Sequence, residues 1–176
     1  AGFSINASEH STITSYGKDH EVDAYRNMIK QFAKPGALFA CVSDSYDIYN
    51  AITKLWGTEL KEELLKSGAT LVIRPDSGDP LEVVLKCLVL MEEKFGSTLN
   101  SKGYKVINHV KLIQGDGVNP KSIKQILDIV NDNGFSTSNI AFGMGGASLS
   151  GSSVNTIKRD TQKFAFKASH IVVNGE

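Results

Sequence analysis

Acidic residues and glycines stand directly after four short apolar runs of this sequence. In chain order they are Asp44, the loop 75–78, the loop 115–117 and the loop 143–146. Carboxylates accept hydrogen bonds from sugar hydroxyls and suit Mg²⁺, a cation that prefers oxygen ligands. Glycine lets the backbone approach a phosphate closely and direct N–H groups at it. If the four loops meet in space, they predict a site for a phosphorylated sugar.

Two arginines could add positive charge to this predicted site. Arg74 ends the second apolar run and Arg159 lies in the C-terminal part of the sequence. The planar guanidinium group matches the geometry of phosphate oxygens. Both arginines therefore fit a site that holds an anion locally.

The same acidic residues have ordinary structural interpretations. Asp44 or Asp47 could cap a helix that begins at Ile48, and Asp116 could be a simple turn residue. A glycine-rich loop such as 143–146 is by itself a weak signal. The functional interpretation depends on all four loops falling at the same end of successive strands.

His10 lies in the polar segment SEHSTITSYG, which has no apolar pattern to bury it. Such a segment is more typical of a solvated or capping histidine than of a catalytic one. If His10 reaches the strand ends, Asp44 is a carboxylate that could orient its ring and raise its basicity. That arrangement would prepare His10 to act as a nucleophile or general base.

The scaffold that must position these groups alternates strands with amphipathic helices. Strands are predicted at 38–43, 70–74, 110–114, 139–143 and 164–173. Helices are predicted at 20–32, at 47–66 with a break at Gly57, at 81–95, and through Ile123 to Val130. Crossover connections of this kind favour a parallel sheet, whose strands all end on one side. The pattern alone does not decide between a barrel and an open doubly wound sheet.

Composition excludes several classes of protein. The 176 residues are 41% hydrophobic and 22% charged with a formal net charge of zero, which is typical of a soluble globular domain. We therefore expect one domain over residues 1–176, with no nucleic-acid partner and no membrane span. Cys41 and Cys87 lie in apolar runs and are expected to be buried thiols. With no signal peptide visible, these features predict a cytoplasmic protein.

Six strings then resemble the nicotinamide phosphoribosyltransferase family, in that family's order and over nearly the whole chain. They are SEHSTITSYGKDHE, VSDSYDIYNA, LVIRPDSGDPLEVVLK, IQGDGV, NIAFGMGGA and KRDTQKFAFKASHIVVNG. The resemblance implies an α/β fold, a partial (β/α) barrel of parallel strands of the type II phosphoribosyltransferases. It also implies a homodimer that joins nicotinamide to phosphoribosyl pyrophosphate. Mg²⁺ would be required, and ATP would be a co-substrate acting through a phosphohistidine.

The resemblance implies roles for individual residues as well. The catalytic residues are expected to be His10, Asp44 and Asp76. His10 corresponds to the histidine that becomes phosphorylated, and Asp44 corresponds to the carboxylate that hydrogen-bonds it. Arg74 and Asp76 correspond to residues around the pyridine ring, the ribose and the pyrophosphate.

The remaining expected contacts involve the ribose and the phosphate groups. They are Gly115 and Asp116 at the ribose, Gly145, Gly146 and Arg159 at the 5′-phosphate, and Lys167 at phosphate groups. No residue is assigned as a metal ligand.

This sequence also departs from the family. Upstream groups that bind the pyridine base in family members are absent, so we expect a fragment that is catalytically incomplete by itself. Ala40 and Cys41 stand where animal members carry a serine, and the Ser-rich segment 147–158 is closer to microbial relatives. Three alternatives stay open: a phosphate-binding fragment without turnover, a nicotinate-specific enzyme, and a Rossmann-type oxidoreductase that uses the loop 143–146. The last requires a glycine motif after the first strand of its unit, and here the motif comes late.

Overall fold

The computed structural model describes residues 4–143 and Val172. The elements below all belong to the first of two units of the chain, Ala1–Gly143. The strand predicted at 164–173 falls outside the described residues except for Val172. The prediction that all 176 residues form one domain stays a prediction.

Strands alternate with helices along this part of the chain. The elements are β1 (Asn6–Ala7), α1 (His10–Thr14), a 3₁₀ turn (Lys18–His20), α2 (Glu21–Phe32), β2 (Leu38–Val42), α3 (Ile48–Asn50), a π-helix (Ala51–Glu59), α4 (Lys61–Ser67), β3 (Thr70–Arg74), α5 (Pro80–Phe95), β4 (Ser97–Leu99), β5 (Lys105–Ile107), β6 (Val110–Gln114), α6 (Pro120–Asp132), a second 3₁₀ turn (Thr137–Asn139) and β7 (Ile140–Phe142).

Five of the strands form one sheet in the order β1-β2-β3-β6-β7. Every neighbouring pair in it is parallel, for example Ala7 beside Ala40 and Ala40 beside Val72. The strands β4 and β5 form a separate antiparallel pair. The predicted α/β fold of parallel strands alternating with helices is confirmed, and this sheet is consistent with part of a (β/α) barrel.

The strands β2 and β3 are buried on both faces, which explains why they are apolar runs, whereas the residues of β6 alternate between buried and half-buried. Phe39, Cys41, Leu71 and Leu112 on the inner strands are all fully buried. Cys41 and Cys87 are both free, buried thiols, as expected.

Helices start where their sequence signals lie, since Asp79 and Asn119 cap α5 and α6 with proline next in each case.

The break predicted at Gly57 is wrong. The π-helix runs through Gly57, and the chain changes helix only at Leu60, before α4. A Cβ atom on Gly57 would lie 2.5 Å from the carbonyl oxygen of Ile52 and 2.7 Å from Cγ of Lys94. Glycine is needed here for close packing against α5 rather than as a helix end.

Four helices and strands of the described residues were not predicted from the sequence. These are β1, the short helix α1 that begins at His10, and the pair β4–β5. Their strands have only two or three residues, too few to show a hydrophobic period.

Within residues 4–143, no helix combines the length and the apolar character that a bilayer crossing requires.

Candidate active site

The carboxyl ends of the parallel strands carry the candidate residues at a constant position. Asp44, Asp76 and Asp116 are each the second residue after the last residue of their strands, β2, β3 and β6. These three strands are neighbours in the sheet. Because parallel strands end on the same side, the three acidic positions share one edge of the sheet.

His10 reaches this edge from β1, which pairs with β2. Its Nε2 atom lies 3.0 Å from Oδ1 of Asp44. The Asp44 side chain is only 5% exposed, whereas that of His10 is 28% exposed. The histidine is therefore held on one side and open to solvent or a ligand on the other.

Asp44 is available for this contact because Asp47 caps the following helix. Oδ1 of Asp47 accepts hydrogen bonds from the backbone N–H groups of Tyr49 and Asn50, at 2.9 and 3.1 Å. The alternative in which Asp44 is the helix cap is therefore wrong.

The second carboxylate oxygen of Asp44 accepts two more hydrogen bonds. Oδ2 lies 2.8 Å from the backbone nitrogen of Asp76 and 2.6 Å from Oγ of Ser77. Burial by itself raises the pKa of Asp44, but the hydrogen bonds from Ser77, Asp76 and His10 outweigh it and lower the pKa below its ordinary value. Asp44 is therefore ionised at neutral pH, and an ionised carboxylate can only accept hydrogen bonds.

Arg74 and Asp76 complete the group of charged side chains. Nη2 of Arg74 donates to Oδ1 of Asp76 at 3.2 Å, and Nη1 lies 3.5 Å from Oε1 of Glu9. Oδ2 of Asp76 lies 3.9 Å from Nδ1 of His10. Asp76 therefore stands between the guanidinium group of Arg74 and the Nδ1 side of the imidazole ring.

A buried hydrogen-bonded chain supports this edge from inside the fold. Nε1 of Trp56 donates to Oγ of Ser43 at 3.2 Å, and the backbone N–H of Ser43 donates to the carbonyl of Arg74 at 3.0 Å. Trp56 stacks on Tyr25 at a centroid distance of 4.6 Å, and the Tyr25 hydroxyl donates to Glu21 at 2.7 Å. The residue just before Asp44 is therefore fixed to both β3 and the helical layer.

Sequence reasoning missed the contributions of Ser43, Trp56 and Ser77. A clue to Trp56 was available, because it is the single tryptophan of the sequence. Ser77 offered none, because a serine in a loop is usually an ordinary turn residue.

Gly115 and Asp116 lie at the same edge, on the loop after β6. The Gln114 side chain donates to the carbonyl of Asp116 at 2.9 Å, and Gly143 N–H donates to the carbonyl of Gln114 at 2.8 Å. Asp116 is exposed. Within residues 4–143, no hydrogen bond or ion pair joins the Asp116 side chain to His10, Asp44 or Asp76. In this part of the protein the Asp116 side chain is therefore free to contact a ligand.

Four predicted phosphate-binding residues lie outside the described residues. They are Gly145, Gly146, Arg159 and Lys167. Their assignment stays a prediction from the resemblance.

Mg²⁺ needs several oxygen ligands grouped around one point. In the described part of the chain, no three His, Cys, Asp or Glu side chains are grouped to hold a metal ion. Both Asp44 oxygens already accept hydrogen bonds from protein groups. These residues do not form a metal site of their own.

Comparison with known proteins identifies similar sequences along the whole chain. A sequence model of the Nicotinate phosphoribosyltransferase (NAPRTase) family matches residues 1–176. A nicotinamide phosphoribosyltransferase of Xanthomonas campestris pv. campestris (strain 8004) is 60% identical over 175 residues, which are 99% of this chain and 36% of that protein. Proteins of the same name from Mycoplasma genitalium and Acinetobacter baylyi are 33% and 31% identical, over 97% and 99% of this chain. The chain spans 36%, 39% and 37% of the lengths of these three relatives.

Proposed function

Since this chain belongs to the nicotinate phosphoribosyltransferase family, as its sequence strings predicted, we propose that the whole protein transfers a phosphoribosyl group to nicotinamide. The donor is phosphoribosyl pyrophosphate, and the products are nicotinamide mononucleotide and pyrophosphate. The choice of nicotinamide rests on the names of the relatives, of which one is 60% identical to this chain. A Rossmann-type oxidoreductase has no comparable support.

The charged side chains at the strand ends suit the transfer of a phosphoribosyl group. Pyrophosphate leaves from C1 of the ribose while positive charge develops on the sugar ring. Carboxylates beside the ribose, here Asp76 and Asp116, would stabilise that positive charge. Arg74 would bind oxygens of the leaving pyrophosphate through its planar fork. Before substrate binds, its pairing with Asp76 keeps the guanidinium close to this edge.

The observation that carries the proposal for ATP is the contact between His10 and Asp44. Because Asp44 is ionised and only accepts, Nε2 of His10 must be the protonated nitrogen at their 3.0 Å contact. Nδ1 then carries the lone pair and is the nucleophile. It forms a bond to the γ-phosphorus of ATP, the bond from that phosphorus to the bridging oxygen breaks, and ADP leaves with the electron pair. The positive charge left on the ring is balanced by Asp44.

Arg74 also reduces the repulsion between Asp76 and a phosphate group that approaches His10. Oδ2 of Asp76 lies 3.9 Å from Nδ1 of His10, where it would repel an incoming phosphate. The guanidinium of Arg74 binds the other oxygen of Asp76 at 3.2 Å and offsets that repulsion.

Replacement of His10 tests this proposal in the intact protein. We expect His10→Ala to abolish ATP stimulation and to leave a weak transfer that is independent of ATP, with both rates measured as nicotinamide mononucleotide formed. His20→Ala is the matched control, because the His20 side chain is 69% exposed and pairs with Asp23. Loss of both activities in His10→Ala, with the fold intact, would contradict the proposed role.

Further parts of the proposal come from the resemblance and need their own measurements. Turnover of nicotinamide and nicotinate by the intact protein tests the base. Sedimentation tests the proposed homodimer, and cell fractionation tests the cytoplasmic location. Mg²⁺ is proposed to enter with the pyrophosphate oxygens as ligands, as it commonly does with phosphate substrates. The native mass shows whether the working protein is larger than this 19.0 kDa chain.

A further inference from the structure

The hydroxyl group of Ser77 makes the shortest hydrogen bond to Asp44. Oγ donates to Oδ2 at 2.6 Å, compared with 2.8 Å for the backbone N–H of Asp76 and 3.0 Å for His10 on the other oxygen. From this geometry we infer that Ser77 is a positioning residue that orients His10 through the carboxylate of Asp44. The inference rests on the proposed role of His10.

Orientation of the carboxylate requires donors on the oxygen away from the histidine. The last torsion of an aspartate side chain has broad, roughly two-fold preferences and does not fix the carboxylate plane by itself. Two donors on Oδ2, from Ser77 and from the backbone of Asp76, fix that plane. Oδ1 is then directed at Nε2 of His10. Removal of one donor would leave the plane held by the backbone alone.

The loop of Ser77 does not need the serine to build its own fold. Asp79 caps α5 by accepting from the N–H groups of Leu81 and Glu82. Gly78 has a φ of 88° and supplies the left-handed turn before that cap. The Ser77 hydroxyl therefore contributes to Asp44 across 33 residues of sequence rather than to the local turn.

The expected effect of removing the Ser77 hydroxyl depends on how exposed Asp44 and Ser77 are. Asp44 is 5% exposed, so few water molecules reach its carboxylate. Ser77 itself is exposed, so water can partly replace a missing hydroxyl. We therefore expect a moderate effect, with His10 phosphorylated about threefold to tenfold more slowly in Ser77→Ala.

The charged groups that face Asp44 do not provide a substitute for Ser77. They are His10, which Asp44 already binds, and Asp76, whose side chain is paired with Arg74. The negative charge of Asp44 also acts on the nearby Cys87 thiol. Burial raises the pKa of Cys87 to about 12, so this thiol stays neutral. None of them adds a donor to Oδ2.

The test uses ¹⁵N NMR of labelled histidine in the intact protein. In the wild type, neutral His10 is expected to carry its proton on Nε2. In Ser77→Ala the fraction protonated on Nδ1 is expected to rise, whereas Ser77→Thr retains the hydroxyl and the wild-type tautomer. Ser15→Ala is the matched control, since Oγ of Ser15 donates to the carbonyl of Thr12 in the His10 helix and not to Asp44.

Two outcomes separate this inference from the proposed function. A wild-type His10 tautomer and phosphorylation rate in Ser77→Ala would overturn the inference. A changed tautomer in Ser77→Ala supports it even if the wild type fails to phosphorylate His10, in which case only the proposed function is contradicted.

Discussion

Oδ1 of Asp44 lies 3.0 Å from Nε2 of His10, although 34 residues separate them in the sequence. The parallel pairing of β1 with β2 makes this contact possible, because it brings the start of α1 beside the end of β2. The contact links a histidine that is open to ligand with a carboxylate that is almost fully buried.

Asp44→Asn should slow the phosphorylation of His10 by ATP about tenfold to a hundredfold. An amide can donate as well as accept, so it no longer dictates which nitrogen of His10 is protonated, and it carries no charge to balance the ring. Phosphate incorporation, followed by ³¹P NMR at alkaline pH, measures the effect. Asp47→Asn is the control, because asparagine serves equally well as a helix cap.

Glu21→Gln should change the pH dependence of stability. Burial raises the pKa of Glu21, against the opposing hydrogen bond from Tyr25. A carboxyl group with a raised pKa stabilises the folded state fully below its unfolded pKa of about 4.3, and this contribution is lost as pH rises through the folded value. Wild type should therefore lose stability relative to the glutamine variant between pH 4 and pH 7.

Chemical unfolding of both proteins at pH 4 and pH 7 measures that change. Glutamine keeps an oxygen that accepts from the Tyr25 hydroxyl, so the comparison isolates the charge. Glu62→Gln is the control, with a side chain that is 85% exposed. A difference between wild type and Glu21→Gln that is the same at both pH values would rule out the raised pKa.

Gly57→Ala should destabilise the protein although alanine is the better helix former. The new methyl group would lie 2.5 Å from the carbonyl oxygen of Ile52 and within 3 Å of the Lys94 side chain. Overpacking of this kind costs about 1–3 kcal/mol, more than the gain of about 1 kcal/mol in helix propensity. Urea unfolding measures the loss, with Gly115→Ala as the stability control because open space surrounds that position. A stabilised Gly57→Ala variant would show that the π-helix adapts freely.

Trp56→Phe should reduce the free energy of unfolding by about 1–3 kcal/mol. Phenylalanine can still stack on Tyr25, but it fills less space and removes the hydrogen bond to Ser43. Because Trp56 is the single tryptophan of the sequence, unfolding is best followed by circular dichroism. Tyr16→Phe, at an exposed aromatic residue, should leave stability unchanged. Wild-type stability in Trp56→Phe would mean that the buried hydrogen bond to Ser43 contributes little.

The central strands and helix starts could be predicted because their signals are local. Thr70–Arg74 is an apolar run since both faces of the sheet are covered, and Asp79 followed by proline marks the start of α5. The acidic loops follow directly from those strand ends. Their position at one edge of the sheet therefore depended only on the parallel topology.

The remaining features depend on contacts that the sequence does not display. Strand β1 has two exposed residues and is held by backbone pairing, so nothing in its pattern revealed that His10 would reach Asp44. The close approach of Gly57 to Lys94 appears only when the π-helix packs against α5. The bond from Ser77 to Asp44 likewise arises only once two loops are adjacent.

The in-register positions of Asp44 and Asp76, just after the adjacent strands β2 and β3, have an evolutionary consequence. The interval between these positions is set by the ladder spacing of about 4.8 Å, not by the connecting helices. Insertions or deletions within the crossovers would leave that interval unchanged, whereas one residue added at a strand end would move its carboxylate out of line. The outer layer can therefore diverge in length among relatives, while the strand ends tolerate substitution only.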